Sequence, residues 1–201
     1  ASVLVTESNG STRVVSGVSG DDYTLRLVSQ PTADVYVNLY GDGQTNFSGA
    51  NTVGQADNRL VLRTLGNALS ANVDFATNGA DPDTITRAGL SWADDGISIG
   101  SLLQINGSGA LFKVNDIKDV RSNGVVVSSS LVLTLDGNVS GLSDGVVSLQ
   151  RMSWAVKFTA ANWAQEVRVS VAADTNFVPD PDQTFVRTEP VRNHVVNGVR
   201  G

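Results

Sequence analysis

Calcium is held by six to eight oxygen ligands that converge on one point, and loops at the end of a β-sandwich can supply them when carboxylates punctuate their turns. Four aspartates stand at such places. They are Asp42 in Gly41-Asp42-Gly43, Asp174 at the close of an alternating run, and Asp180 and Asp182 in Pro179-Asp180-Pro181-Asp182. They are the candidate metal ligands, with Ca2+ as the candidate ion and a shared pole of the fold as the expected place. The competing reading is that they are solvated turn residues. Catalytic chemistry has less to work with. The single histidine, His194, lies near the C-terminal end, no serine sits in a Gly-x-Ser-x-Gly turn, and cysteine is absent. Glycines fall in turn dipeptides, with no Gly-x-Gly-x-x-Gly or Gly-Lys-Ser/Thr loop to cradle a phosphate, so nucleotide binding is not expected. No catalytic residue is assigned, and the expectation is a non-enzyme.

Trp92, in Ser91-Trp92-Ala93-Asp94-Asp95-Gly96, is the residue type on which sugars stack, yet a tryptophan beside apolar strands also fills cores. A glycan- or protein-binding role would draw on Trp92, Phe112 and the Asp94-Asp95 pair. Trp154 and Trp163 flank the turn at Phe158 and are assigned to packing between sheets.

The elements that position these residues are short and alternating. Ser2 to Thr6, Tyr23 to Val28, Val35 to Leu39 and Val167-Arg168-Val169-Ser170-Val171 all read as strands, separated by the residues that make turns. From Asn72 to Met152 apolar runs alternate with Asn78-Gly79, Asp95-Gly96, Asn106-Gly107, Asn123-Gly124, Asp136-Gly137 and Asp144-Gly145. That spacing predicts a small all-β barrel or sandwich. Residues 58–71 are ambiguous. The spacing of Leu60, Leu62, Leu65 and Leu69 permits a short helix capped by Asp57, while Leu60-Val61-Leu62 also reads as a strand.

The run Tyr23-Thr24-Leu25-Arg26-Leu27-Val28-Ser29-Gln30-Pro31-Thr32-Ala33-Asp34-Val35-Tyr36-Val37, together with Phe158-Thr159-Ala160-Ala161-Asn162-Trp163 through Asp174, resembles the Calx-beta-like repeat of large bacterial surface and secreted proteins. The resemblance implies an Ig-like antiparallel β-sandwich. In that family the two motifs lie close together, whereas here about 120 residues separate them. Residues 1–46 plus 153–201 total about 95, near the length of one such sandwich, so the chain is expected to be a host split by a guest at 47–152. The guest core is expected over 72–152, with 47–71 as a linker or short helix. The resemblance also implies calcium ligands at the positions of Asp42 and Asp174, with Asp180 and Asp182 near downstream acidic positions. The chain departs from the pattern at Ser16, where the family has glutamate, and at Thr175 and Asn176, where it has aspartates.

Composition fits this picture. A net charge of −6 and a pI near 4.6 disfavour nucleic acid and anionic membrane surfaces as partners. No apolar run is long enough to span a bilayer, and the N-terminus carries no secretion signal, so the chain is expected to be a segment of something longer. The resemblance implies an extracellular, cell-surface setting, with neighbouring domains of the same long chain as partners. The expected function is that of a structural spacer; the alternative is a glycan- or protein-binding module acting through the inserted segment.

Overall fold

The computed structural model describes residues 2–17, 20–53 and 59–179, with the main chain alone at 50–52. Among them are eleven strands, two short 3-10 turns at Ser8–Gly10 and Trp92–Asp95, and no α-helix. No helix there is long and apolar enough to cross a membrane. The strands are β1 (Val3–Glu7), β2 (Asp21–Leu27), β3 (Val35–Leu39), β4 (Thr45–Thr52), β5 (Leu60–Ala76), β6 (Thr84–Ala88), β7 (Leu102–Ile105), β8 (Phe112–Ser122), β9 (Val125–Leu133), β10 (Gly145–Phe158) and β11 (Val167–Ala173). They form two sheets, and the chain divides into two compact units.

The described part of the first unit comprises residues 2–63 and 153–175. One sheet has the order β1-β2-β11-β4, with antiparallel ladders throughout. Facing it, β3 pairs antiparallel with the end of β10, whose other neighbour is β5. Alternation decides which side chains face in. Tyr23, Leu25 and Leu27 of β2 and Val167, Val169 and Val171 of β11 are buried, and they pack with Val37, Leu39, Val156 and Phe158 from the facing layer. Trp154 and Trp163 pack against this cluster, in agreement with their assignment to the core. The Leu27 amide donates to the Trp163 carbonyl at 2.9 Å, which fixes the turn after β10 to the end of β2.

The described part of the second unit comprises residues 64–152 and 176–179. Its strands run in the order β10-β5-β6-β9-β8-β7, and β7 pairs again with β10, so the ring closes and removes the open edges that a flat sheet would leave. Val73, Ile85, Leu103, Ile105, Phe112, Val114, Leu131, Leu133 and Leu149 fill it. Asn123-Gly124 forms the two-residue turn between β8 and β9, with φ of 51° and 81° and Ser122 opposite Val125. Positive φ at both positions gives the twist that a tight hairpin needs, which is why Asn-Gly is found there.

Three expectations require correction. Residues 58–71 hold no helix where they are described: β5 runs from Leu60 to Ala76, and Leu69, Ala71, Val73 and Phe75 point to the ring's core at every second position. Strand pairing overrides a leucine spacing that an isolated helix would also tolerate. Asp57, the suggested cap, lies outside the described residues. Residues 47–71 are not a linker either, because β4 pairs with β11 from Thr45 to Thr52. Among the described residues the chain passes between units at Arg63/Thr64 and at Met152/Ser153, inside β5 and β10, and again at Thr175/Asn176 after β11. Asp95-Gly96 closes a 3-10 turn rather than a hairpin, with Gly96 left-handed at φ 72°.

Candidate functional site

In the first unit the fold brings two of the four candidate aspartates to one residue. Asp42 follows β3 and folds its carboxylate back on its own loop, where Oδ1 accepts from the Gln44 amide at 3.0 Å and from Thr45 Oγ1 at 3.4 Å. This is the local bonding that short acidic side chains make in turns. Asp174 follows β11, is 8% exposed, and donates its amide to the Gln44 carbonyl at 2.8 Å. Gln44 therefore joins the two loops. Asp180, Asp182 and His194 lie outside the described residues. Among the described residues no three acidic or histidine side chains are grouped so as to hold a metal. Two carboxylates fall short of the six to eight oxygens that calcium takes. The Asn176 carbonyl is likewise engaged, accepting from the Leu135 amide at 3.0 Å.

In the second unit, Trp92 is not a surface platform. It is fully buried; its indole Nε1 donates to the Ser129 carbonyl at 2.9 Å and its amide to Ser129 Oγ at 3.2 Å. Ser91 caps the 3-10 turn by accepting from the Ala93 amide. Phe112 is 3% exposed, so neither aromatic of the binding alternative is offered to solvent. The turn is held by a residue that pattern alone had not singled out. Arg87, 6% exposed, lies over the Trp92 ring at 4.1 Å from its centroid. It donates Nε to the Leu90 carbonyl at 3.0 Å and Nη2 to the Ser91 carbonyl at 2.5 Å, and its Nη1 pairs with Asp95 at 2.6 Å. A buried guanidinium is tolerated because each of its three nitrogens has a partner and its face lies on the indole.

Other buried and half-buried polar groups work the same way. Asp83 accepts from the Asn78 amide at 2.9 Å and the Val139 amide at 3.0 Å, joining two loops. Asn115 imitates a strand partner for Val178, donating Nδ2 to its carbonyl at 2.8 Å and accepting its amide at 2.7 Å. Asp119 accepts from Ser129 Oγ at 2.6 Å, Ser91 Oγ at 3.0 Å and Arg121 Nη2 at 3.0 Å.

These bonds set a pH dependence. The Ser129 hydroxyl, opposed by desolvation and helped by Ser91 and Arg121, holds the Asp119 carboxyl below its ordinary value. In the first unit the Arg13 amide, then Ser8 and the Asp22 amide, do the same for Asp21. A carboxyl depressed in the folded state contributes stability that is present above its unfolded pKa, near 3.9, and lost as pH falls through the folded value. Urea midpoints are therefore expected to be flat near neutrality and to fall below about pH 4. Asp119→Asn should flatten that fall in the second unit; an unaltered acid limb would contradict the assignment.

Comparison with protein-family models, with curated proteins and with solved structures returns no match.

Proposed function

We propose that this chain is a non-enzymatic structural module, a spacer in a large extracellular bacterial protein of adhesin, S-layer-like or secreted repeat type. In this reading a Calx-beta-like sandwich is split by an inserted small β-barrel, and its partners are neighbouring domains of the same chain. The observation that carries it is the use made of buried polar groups. Arg87, Asp83 and Asn115 each bond to the main chain of loops. Their polarity is spent on keeping a shape, which is what a spacer must do. The biological setting rests on the sequence resemblance alone.

Calcium belongs to this proposal as a stabiliser of the pole where Asp42 and Asp174 flank Gln44. Main-chain carbonyls of the same loops and water would have to complete the ligand set. A ligand that binds only the folded state raises the unfolding midpoint. Thermal unfolding in excess chelator and then in millimolar calcium should show a rise of several degrees, removed by Asp42→Ala or Asp174→Ala. An unchanged midpoint would leave a metal-free sandwich.

A second reading is favoured by one observation. The far end of the β8–β9 hairpin exposes Val120, Val125 and Val127, and Leu90 is exposed in the turn whose Gly89 amide donates to the Val127 carbonyl. Apolar side chains grouped in this way suit a protein contact better than a sugar. Screening the purified chain against cell-surface glycans should give no saturable response; a saturable one would replace the spacer reading with a lectin.

A further inference from the structure

An Asn-Gly step is chemically labile because glycine leaves its own amide nitrogen unshielded, so that nitrogen can attack the preceding side-chain amide. The described residues contain four such steps, at 9–10, 78–79, 106–107 and 123–124. They differ in what holds the asparagine. Asn78 donates Nδ2 to the Pro82 carbonyl at 2.8 Å and its main-chain amide to Asp83 at 2.9 Å. Asn106 accepts the Ser148 amide on Oδ1 at 2.9 Å while its own amide donates to the Ser148 carbonyl at 2.8 Å. In both, the side chain is turned away from the glycine nitrogen by bonds that must break first. Asn9 is exposed, but its neighbour Ser8 is bonded to the Asp21 carboxylate, which also takes the Arg13 amide. A negative charge next to this turn opposes loss of the Gly10 amide proton.

Asn123 has none of these restraints. It occupies the tip of the β8–β9 hairpin, where residues 120–125 are all exposed, and its side chain makes no hydrogen bond among the described residues. The one polar contact at the tip, Arg121 Nη1 to the Gly124 carbonyl at 3.3 Å, leaves the Asn123 amide group and the Gly124 nitrogen untouched. Local opening is easiest at such a tip.

We propose that Asn123 is a site of spontaneous backbone-assisted deamidation. The Gly124 nitrogen attacks Cγ of Asn123, the new C–N bond closes a succinimide, and the side-chain amide leaves as ammonia carrying the glycine amide proton. Water then opens the ring at either carbonyl to give aspartate or isoaspartate. Either product adds a negative charge beside Arg121. Isoaspartate also inserts a methylene into the main chain, which the two-residue turn cannot absorb without loosening the Ser122–Val125 and Arg121–Val126 pairs.

The test is to age the purified chain in warm, mildly alkaline buffer and to follow each Asn-Gly peptide by mass, with enzymatic methylation to count isoaspartate. Among these four, Asn123 should convert first, with Asn78 and Asn106 at least about tenfold slower, the factor expected when a held amide must first give up its hydrogen bonds. In denaturant the four steps should react at similar rates. Asn123→Gly, which keeps both left-handed turn positions, should remove the leading acidic isoform while the chain stays folded. Equal rates in the folded chain, or conversion led by Asn78 or Asn106, would overturn the proposal.

Discussion

Trp92→Ala should lower the stability of the second unit by about 3–5 kcal/mol, the range for emptying a large aromatic site in a core. The residue is fully buried, so the substitution leaves a cavity that the surrounding ring of strands cannot close. It also removes the surface on which the Arg87 guanidinium rests and the donor to the Ser129 carbonyl. Trp92→Phe separates these effects. It keeps most of the volume and the face under Arg87, but leaves the buried carbonyl without its partner, at a cost of about 1–3 kcal/mol. Urea denaturation followed by far-UV circular dichroism measures both. In Trp92→Ala the remaining tryptophans, Trp154 and Trp163, lie in the first unit, so fluorescence then follows that unit alone. An unchanged midpoint in Trp92→Ala would mean that the indole does not close the ring's core.

Phe158→Ala is expected to be equally severe for the first unit, again about 3–5 kcal/mol. Phe158 ends β10 opposite Val35 and is fully buried in the cluster that joins the two layers. Nothing polar compensates its loss, so the effect is that of a cavity alone. With Trp154 and Trp163 replaced by phenylalanine, Trp92 becomes the sole tryptophan and, excited selectively over tyrosine, reports the second unit. Such a variant shows whether a weakened sandwich leaves the ring intact. A loss below about 1 kcal/mol, the size of a surface change, would contradict the packing described.

The sandwich core was legible because period-2 alternation survives in single segments. Tyr23-Leu25-Leu27 and Val167-Val169-Val171 each show the buried face without knowledge of any partner. The hairpin at Asn123-Gly124 was legible for a local reason too, since the dipeptide supplies both left-handed positions. β5 was obscured by Gly66, at φ 64°, and by polar residues around it that break the alternation between Leu62 and Leu69. Arg87 carried a signal that went unused. In Thr84-Ile85-Thr86-Arg87 it shares the face of the fully buried Ile85, and a charge on an inward face demands partners. No local pattern could have paired Asn115 with Val178, which are 63 positions apart, nor placed Asp42 and Asp174 on either side of Gln44. Such contacts exist only once the sheets have formed.

The direction of the strands in the first sheet bears on how the molecule would behave under load. β1 and β11 each run antiparallel to β2 and hence parallel to one another. The chain thus enters this sheet at one end and leaves it at the other. Tension between its two ends would pull β1 and β11 lengthwise past β2, straining the rungs of both ladders together instead of unzipping them one by one. Within this sheet the shortest route for that force crosses β2 and bypasses the chain between Val28 and Glu166.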